Sequence, residues 1–226
     1  MTSQEITVLQ FESPFTCIMA GATGSGKTTL LFEILRHGTQ MFSAEPKRVI
    51  YCYGVYQKLY DEMKLHLPHI WFYEGLPSKD DLEAWSAEQP GMKVLVLDDL
   101  LQKAAKNPEI VDLFCQYSHH LNFSTFFLVQ NLFADGIRCV SLNTHYFILL
   151  KNTRDQLQVQ TLGRQVLPGQ VTYFMDAFRK ATEPKYGYLL IDLSPHSDPK
   201  YKLRTRILPG QLTIVYLPEK NTMKTS

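Results

Sequence analysis

Apolar positions along this chain alternate between two patterns. Short, nearly continuous runs occur at residues 15–20 (FTCIMA), 48–53 (RVIYCY), 69–73 (HIWFY), 93–98 (KVLVLD), 124–130 (STFFLVQ) and 145–150 (HYFILL). They are rich in β-branched and aromatic side chains, which predicts strands, and the last three read as strands buried on both faces. Between the runs, residues 27–37 (KTTLLFEILRH) repeat apolar side chains at the i, i+3, i+4 spacing of a helix. Further helices are expected near 56–67, from 79, where Ser78 serves as N-cap ahead of an acidic first turn, and over 109–121. Strands that alternate with helices need crossover connections, so the fold is α/β with a mostly parallel sheet covered on both sides.

The pattern changes after a helix expected at 170–181. Residues 186–192 (YGYLLID), 203–208 and 212–217 read as strands, and Pro209-Gly210 between the last two is a turn signal. One domain over 1–226 accommodates all of this, with a core at about 14–192 and a short β-rich extension at about 193–218.

Composition narrows the class. The chain has 226 residues, 45% of them hydrophobic, which supports a packed core and argues against disorder. No apolar run approaches the ~18 residues that span a membrane, and the N-terminus lacks a secretory pattern. Cys17, Cys52, Cys115 and Cys139 form no paired motif and read as reduced, intracellular thiols. Residues 1–150 carry 11 Lys+Arg against 16 Asp+Glu, whereas 151–226 carry 12 against 6. A basic back end permits contact with a polyanion or with the acidic face of another copy, although such runs are usually solvated faces.

The strongest chemical signal lies between the first strand and the first helix. Gly21-Ala22-Thr23-Gly24-Ser25-Gly26-Lys27-Thr28, followed by Thr29, satisfies GxxxxGK(S/T). Glycines let the backbone curl so that its amides point at phosphate oxygens, and the helix dipole adds to the attraction. In such a loop Lys27 reaches the β- and γ-phosphates and the Thr28 hydroxyl ligates magnesium. The fold class becomes a three-layer P-loop NTPase.

A P-loop needs a carboxylate at the end of a neighbouring apolar strand, and Asp98-Asp99 closes VLVLDD. Asp98 is the expected magnesium ligand; Asp99 is the acid that orients or deprotonates the attacking water, which points to hydrolysis rather than a switch. Gln130 closes the next strand, where a side chain senses the γ-phosphate. A GTPase is disfavoured: Asn152-Thr153-Arg154-Asp155 lacks the lysine of NKxD, and the residues after Asp98 lack the glycine of DxxG. No glycine-rich transporter signature precedes the acids. A small-molecule kinase for nucleotides or nucleosides remains an alternative, although its arginine-dense lid is missing, as does an ATP-gated assembly adaptor.

Taken together, PFTCIMAGATGSGKTTLL, VLVLDDLL, SHHLNFSTFFLVQNLF, SLNTHYFILLKNTRDQ and LGRQVLP resemble the FtsK–HerA superfamily, specifically the DNA-packaging ATPases of Polinton-like, adintovirus and virophage viruses, related to the poxvirus-type packaging ATPase. The resemblance runs from about residue 14 to 218. It departs at Leu121, where a basic residue is common, and at Gly163, where Ala usually precedes Arg-Gln.

That resemblance implies an ATP hydrolase using Mg2+, assembled as a homo-oligomeric ring that moves double-stranded DNA into a viral capsid without sequence readout. It implies action inside an infected host cell, in the nucleus or a virus factory or associated with the virion, with no membrane contact. It also implies that an arginine from the neighbouring subunit completes each site; Arg154 in KNxRD is the first choice, then Arg164 and Arg138.

Weaker signals are read conservatively. Tyr51, Tyr53, Tyr56 and Tyr60 with Lys58 are assigned to packing between strand and helix rather than to a DNA-facing surface. His119-His120 closes a helix and lacks the partners of a metal site. Residues 103–109 (KAAKNPE) are a pore-loop candidate, because phosphate contacts ask for lysines and no base recognition.

Overall fold

The computed structural model describes residues 9–100, 120–132 and 137–218. The expected helix at 109–121 and the pore-loop candidate at 103–109 lie almost wholly outside them. The apolar runs become β1 (Thr16–Ala20), β2 (Arg48–Tyr53), β3 (Ile70–Glu74), β4 (Lys93–Asp98), β5 (Phe123–Val129), β6 (Tyr146–Leu150), β7 (Tyr188–Asp192), β8 (Leu203–Thr205) and β9 (Ile214–Val215). They form one sheet in the order β3-β2-β4-β5-β1-β6-β7-β8-β9. The six strands from β3 to β6 pair in parallel, and β7, β8 and β9 continue the sheet antiparallel.

Every residue of β1, β4, β5, β6 and β7 is buried. Alternate side chains enter two separate cores, one on each face, which is why these strands read as continuous apolar runs. One face is covered by α1 (Lys27–Arg36), α2 (Gly38–Met41) and α3 (Leu59–His66). On α1, Leu30, Leu31, Ile34 and Leu35 make the stripe that packs against Cys17, Met19, Val94, Val96, Phe126 and Ile148. The opposite face carries α4 (Lys79–Glu88), α5 (Ile137–Leu142), α6 (Gln156–Val166) and α7 (Val171–Ala181).

Local chemistry sets the ends of these elements. Ser78 caps α4 in a reciprocal box with Asp81. Past the other end of α4, the buried Lys93 ammonium donates to the carbonyls of Ser86, Gln89 and Gly91, which ties the helix C-terminus to the start of β4. Arg204 of β8 pairs with Asp192 of β7 at 3.0 Å, with both side chains almost fully buried. Pro209-Gly210 makes the expected turn: Gly210 has φ +80° and the Gln211 amide donates to the Leu208 carbonyl.

Three expectations need correction. The last two strands are much shorter than 203–208 and 212–217: Arg206 leaves the extended region with φ +56°, and only Arg204–Val215 and Thr205–Ile214 pair between them. The seventh strand starts at Tyr188, since Tyr186 occupies a turn with φ +62°. Helix α6 had no counterpart in the sequence pattern, its apolar stripe being thinned by six polar positions and Gly163.

Candidate functional site

β1 delivers the chain to the P-loop at the C-terminal edge of the parallel strands, between β5 and β6. Gly21 lies so close to β6 that a Cβ there would sit 2.8 Å from Leu150 Cβ and from Ser25 Oγ. Gly24 and Gly26 take φ +75° and +96°, a region that costs any L side chain energy. The loop then closes on itself: the Ser25 amide donates to the Ala22 carbonyl, and Lys27 Nζ donates to the carbonyls of Gly21 at 2.6 Å and Ala22 at 3.1 Å. Burial lowers the Lys27 pKa, and the charges of Asp99 and Asp98 oppose that shift.

The loop fits a polyphosphate. Ser25 Oγ is buried with no partner among the described residues, an orphan of the kind a bound anion satisfies. Gly24 has open space where a side chain would stand. Lys27, Thr28 and Thr29 border a cleft of about 580 Å³. Thr28 and Asp98 supply the oxygen donors that magnesium prefers.

Asp98 ends β4 and is buried at 6% exposure. Its Oδ2 accepts two hydrogen bonds, from the Tyr51 hydroxyl at 2.7 Å and from the Tyr60 hydroxyl at 2.9 Å. Tyr51 comes from the neighbouring strand β2 and Tyr60 from α3 above it, their rings 5.0 Å apart. Burial pushes the Asp98 pKa up; the two hydroxyls and Lys27 draw it back down, while Asp99 adds to the rise. Burial and the same carboxylate hold both tyrosines well above the usual phenol range, so they stay donors.

Asp99 follows in the left-handed region, with φ +58°. Its amide donates to the Leu128 carbonyl of β5, and its side chain projects at an exposed position. There Gln130, one residue past β5, donates its amide to Asp99 Oδ2 at 2.6 Å. The Gln130 backbone carbonyl accepts from the Asn152 side-chain amide at 3.3 Å, and Asn152 Oδ1 accepts from the Arg154 backbone amide at 3.2 Å. A chain of polar contacts therefore links the ends of β4, β5 and the segment after β6.

The structure thus gathers the P-loop, Asp98, Asp99 and Gln130 at one edge of the sheet. Arg154 is exposed just beyond, with no side-chain partner among the described residues. Arg164 is exposed in the last turn of α6, and the side chain of Arg138 lies outside the described residues. The tyrosine cluster divides: Tyr51 and Tyr60 pack between strand and helix as expected, whereas Tyr56 is 43% exposed beneath Lys64 Nζ at 4.9 Å from its ring. The sequence reading missed that the buried pair carries hydroxyls aimed at Asp98. A buried tyrosine hydroxyl needs an acceptor, which is the signal that points to it.

Residues 7–203 match the family model of the poxvirus A32 protein. No curated protein sequence matches the chain. Among solved structures, the DNA-packaging ATPase B204 of Sulfolobus turreted icosahedral virus superposes with a TM-score of 0.56 at 12% identity, covering 92% of this chain and 99% of that one. The genome packaging NTPase B204 of Sulfolobus turreted icosahedral virus 2, in complex with ATP-γS, gives 0.51 at 12% identity over 91% and 98%. The cytoplasmic domain of the type VII secretion ATPase EccC from Thermomonospora curvata gives 0.54 at 18% identity, covering 84% of this chain but 25% of that one. These likenesses show a shared α/β fold, and by the match over residues 7–203 this chain belongs to the poxvirus A32 protein family.

Proposed function

We propose that this chain is the ATP-hydrolysing subunit of a viral DNA-packaging motor, a homo-oligomeric ring that drives double-stranded genomic DNA into a capsid in the infected cell. The observation that carries the enzymatic part is the convergence of the P-loop, buried Asp98 and the hydrogen-bonded Asp99–Gln130 pair at one edge of the sheet. The packaging part is supported by membership of the A32 family and by the fold shared with B204, which is a genome packaging NTPase. No helix among the described residues is long and apolar enough to cross a membrane.

In this reading, residues 21–29 hold the triphosphate of ATP, and Lys27 leaves its two carbonyl partners for the β- and γ-phosphates. Thr28 and Asp98 would hold magnesium, which would supply positive charge to the phosphate oxygens. Asp99 orients the attacking water and takes its proton. Gln130, already bonded to Asp99, senses the γ-phosphate through its amide. Arg154 acts on the site of the neighbouring subunit, where a cation stabilises the charge of the transferring phosphoryl group. The Lys and Arg excess in 151–226 suits sequence-independent contact with a phosphate backbone.

The deciding experiment is steady-state ATP hydrolysis with and without linear duplex DNA, across protein concentration and salt. A rate that rises with DNA, steepens with protein concentration and falls with salt is expected. A DNA-independent rate linear in protein, or phosphate transferred to a nucleoside, overturns the motor reading and favours the kinase.

A further inference from the structure

The cleft beside the P-loop has a second wall that no catalytic group occupies. One side is the P-loop and the start of α1; the other is Tyr186, Tyr188, Leu208 and Gln211, from the segments around β7 and the β8–β9 turn. We propose that this wall is the base-binding subsite of the nucleotide, with the Tyr186 ring as its stacking platform and a purine as its ligand. The assignment rests on the nucleotide reading above and extends it to the part of the ligand that the P-loop motif does not address.

Tyr186 carries the argument. It is the third residue of a tight turn closed by the Gly187 amide donating to the Pro184 carbonyl at 2.9 Å, and its φ is +62°. That position of a type II turn asks for glycine or asparagine, and a bulky aromatic there is strained. Strain of this sort persists where the surroundings impose it, and it clusters at ligand sites. The side chain is 58% exposed, so core packing does not account for it. Its ring nevertheless leans over the P-loop: a Cβ on Gly26 would meet Tyr186 Cδ1 at 3.0 Å. Lys185 Nζ lies 5.0 Å from the same ring.

The neighbours complete a subsite of the right chemistry. The Tyr188 hydroxyl accepts from the Ile207 amide at 2.9 Å, which anchors the backbone just ahead of Leu208 against β7. Leu208 then offers an apolar side chain, and Gln211 and Gln57 line the same cleft. An amide presents both donors and an acceptor, as the edge of a purine does. Thr28 and Thr29 border the same cleft, so phosphates on the P-loop leave the base on this side.

The test compares Mg-ATP with Mg-tripolyphosphate, by calorimetry, in the wild-type chain and in Tyr186→Asn and Tyr186→Phe. Asparagine tolerates the left-handed backbone, so Tyr186→Asn removes the ring without adding strain. Wild type and Tyr186→Phe are expected to bind ATP about tenfold or more tighter than tripolyphosphate, the range that stacking of a base on an aromatic ring supplies. Tyr186→Asn is expected to lose that margin while melting at the same or a higher temperature. Equal affinities for the two ligands in the wild type, or an unchanged margin in Tyr186→Asn, overturn the subsite alone. Failure of both ligands to bind the wild type overturns the nucleotide reading and the subsite with it.

Discussion

The Gln130 amide donates to the Asp99 carboxylate at 2.6 Å, so two side chains that close neighbouring strands act on each other before any ligand arrives. The contact exists because β5 lies directly beside β4, with Asp98 in register with Leu128, and Asp99 in a left-handed turn projects over the end of β5. A shift of either group is therefore transmitted to the other.

Asp99→Asn is expected to lower kcat by ~10²–10⁴, the range for removing a positioned general base, with ATP affinity nearly unchanged. Gln130→Ala is expected to lower kcat by less, and the double variant to be no worse than Asp99→Asn, since groups that act as a unit are not additive. Single-turnover rates and nucleotide titrations of the three variants check this. Additive losses separate the two roles.

Tyr51→Phe and Tyr60→Phe remove one donor each from Asp98 while leaving both rings packed. Loss of a partner that orients a metal ligand typically costs 10–100-fold in metal affinity or activity. Each variant is expected to need about tenfold more Mg2+ for half-maximal hydrolysis, and chelation of the metal to silence wild type and variants alike. A magnesium titration at saturating ATP decides the matter. An unchanged midpoint leaves the tyrosines a packing role only.

How much of this was legible in the sequence depends on where the partners lie along the chain. The P-loop and the strands that carry Asp98, Asp99 and Gln130 are local signals, and residues 21–29 need no tertiary information to recognise. The tyrosine bonds to Asp98 are different. They arise because β2 inserts beside β4, with Tyr53 in register with Asp98, and that adjacency is a property of strand order rather than of spacing. Gly163 shows the same limit. The resemblance leads one to expect alanine there, with no local reason for the change, but a Cβ would clash with the Phe174 ring, so the glycine lets α6 and α7 approach. Tyr186 was placed in a strand because its neighbours are apolar, whereas the turn it occupies is set by the end of α7 at Ala181 and the Pro184 carbonyl.

Stability at acid pH is expected to report the α4 cap. Ser78 Oγ accepts from the Asp81 amide, and Asp81 Oδ2 accepts from the Ser78 amide at 2.8 Å and its hydroxyl at 2.7 Å. These bonds hold the Asp81 pKa below its ordinary value of 3.8. The folded state therefore binds that proton more weakly than the unfolded chain, so the contribution is complete above the ordinary value and is lost as pH falls through the lower, folded one. Ser78→Ala is expected to cost ~0.5–2 kcal/mol near neutral pH, with a smaller difference from wild type below that window. Urea midpoints measured across pH check both the size and the sign.

Arg154 supplies the test of assembly. It follows β6, the last strand of the parallel set, in an exposed position with no side-chain partner among the described residues, and its backbone is held through Asn152 to Gln130. Under the proposed ring, an exposed arginine with no side-chain partner among the described residues serves the site of another copy. Arg154→Ala alone and Asp99→Asn alone are each expected to be nearly inactive in hydrolysis. Mixed in equal amounts they are expected to recover activity. An Arg154→Ala subunit keeps its acid, its Asp99→Asn neighbour keeps its arginine, and roughly a quarter of the interfaces in a closed ring of random order join them in the productive sense. An arginine that served only its own subunit predicts no recovery at any mixing ratio, because every site then lacks one of the two groups. Hydrolysis followed across mixing ratios, with a maximum near equal amounts, separates the two arrangements.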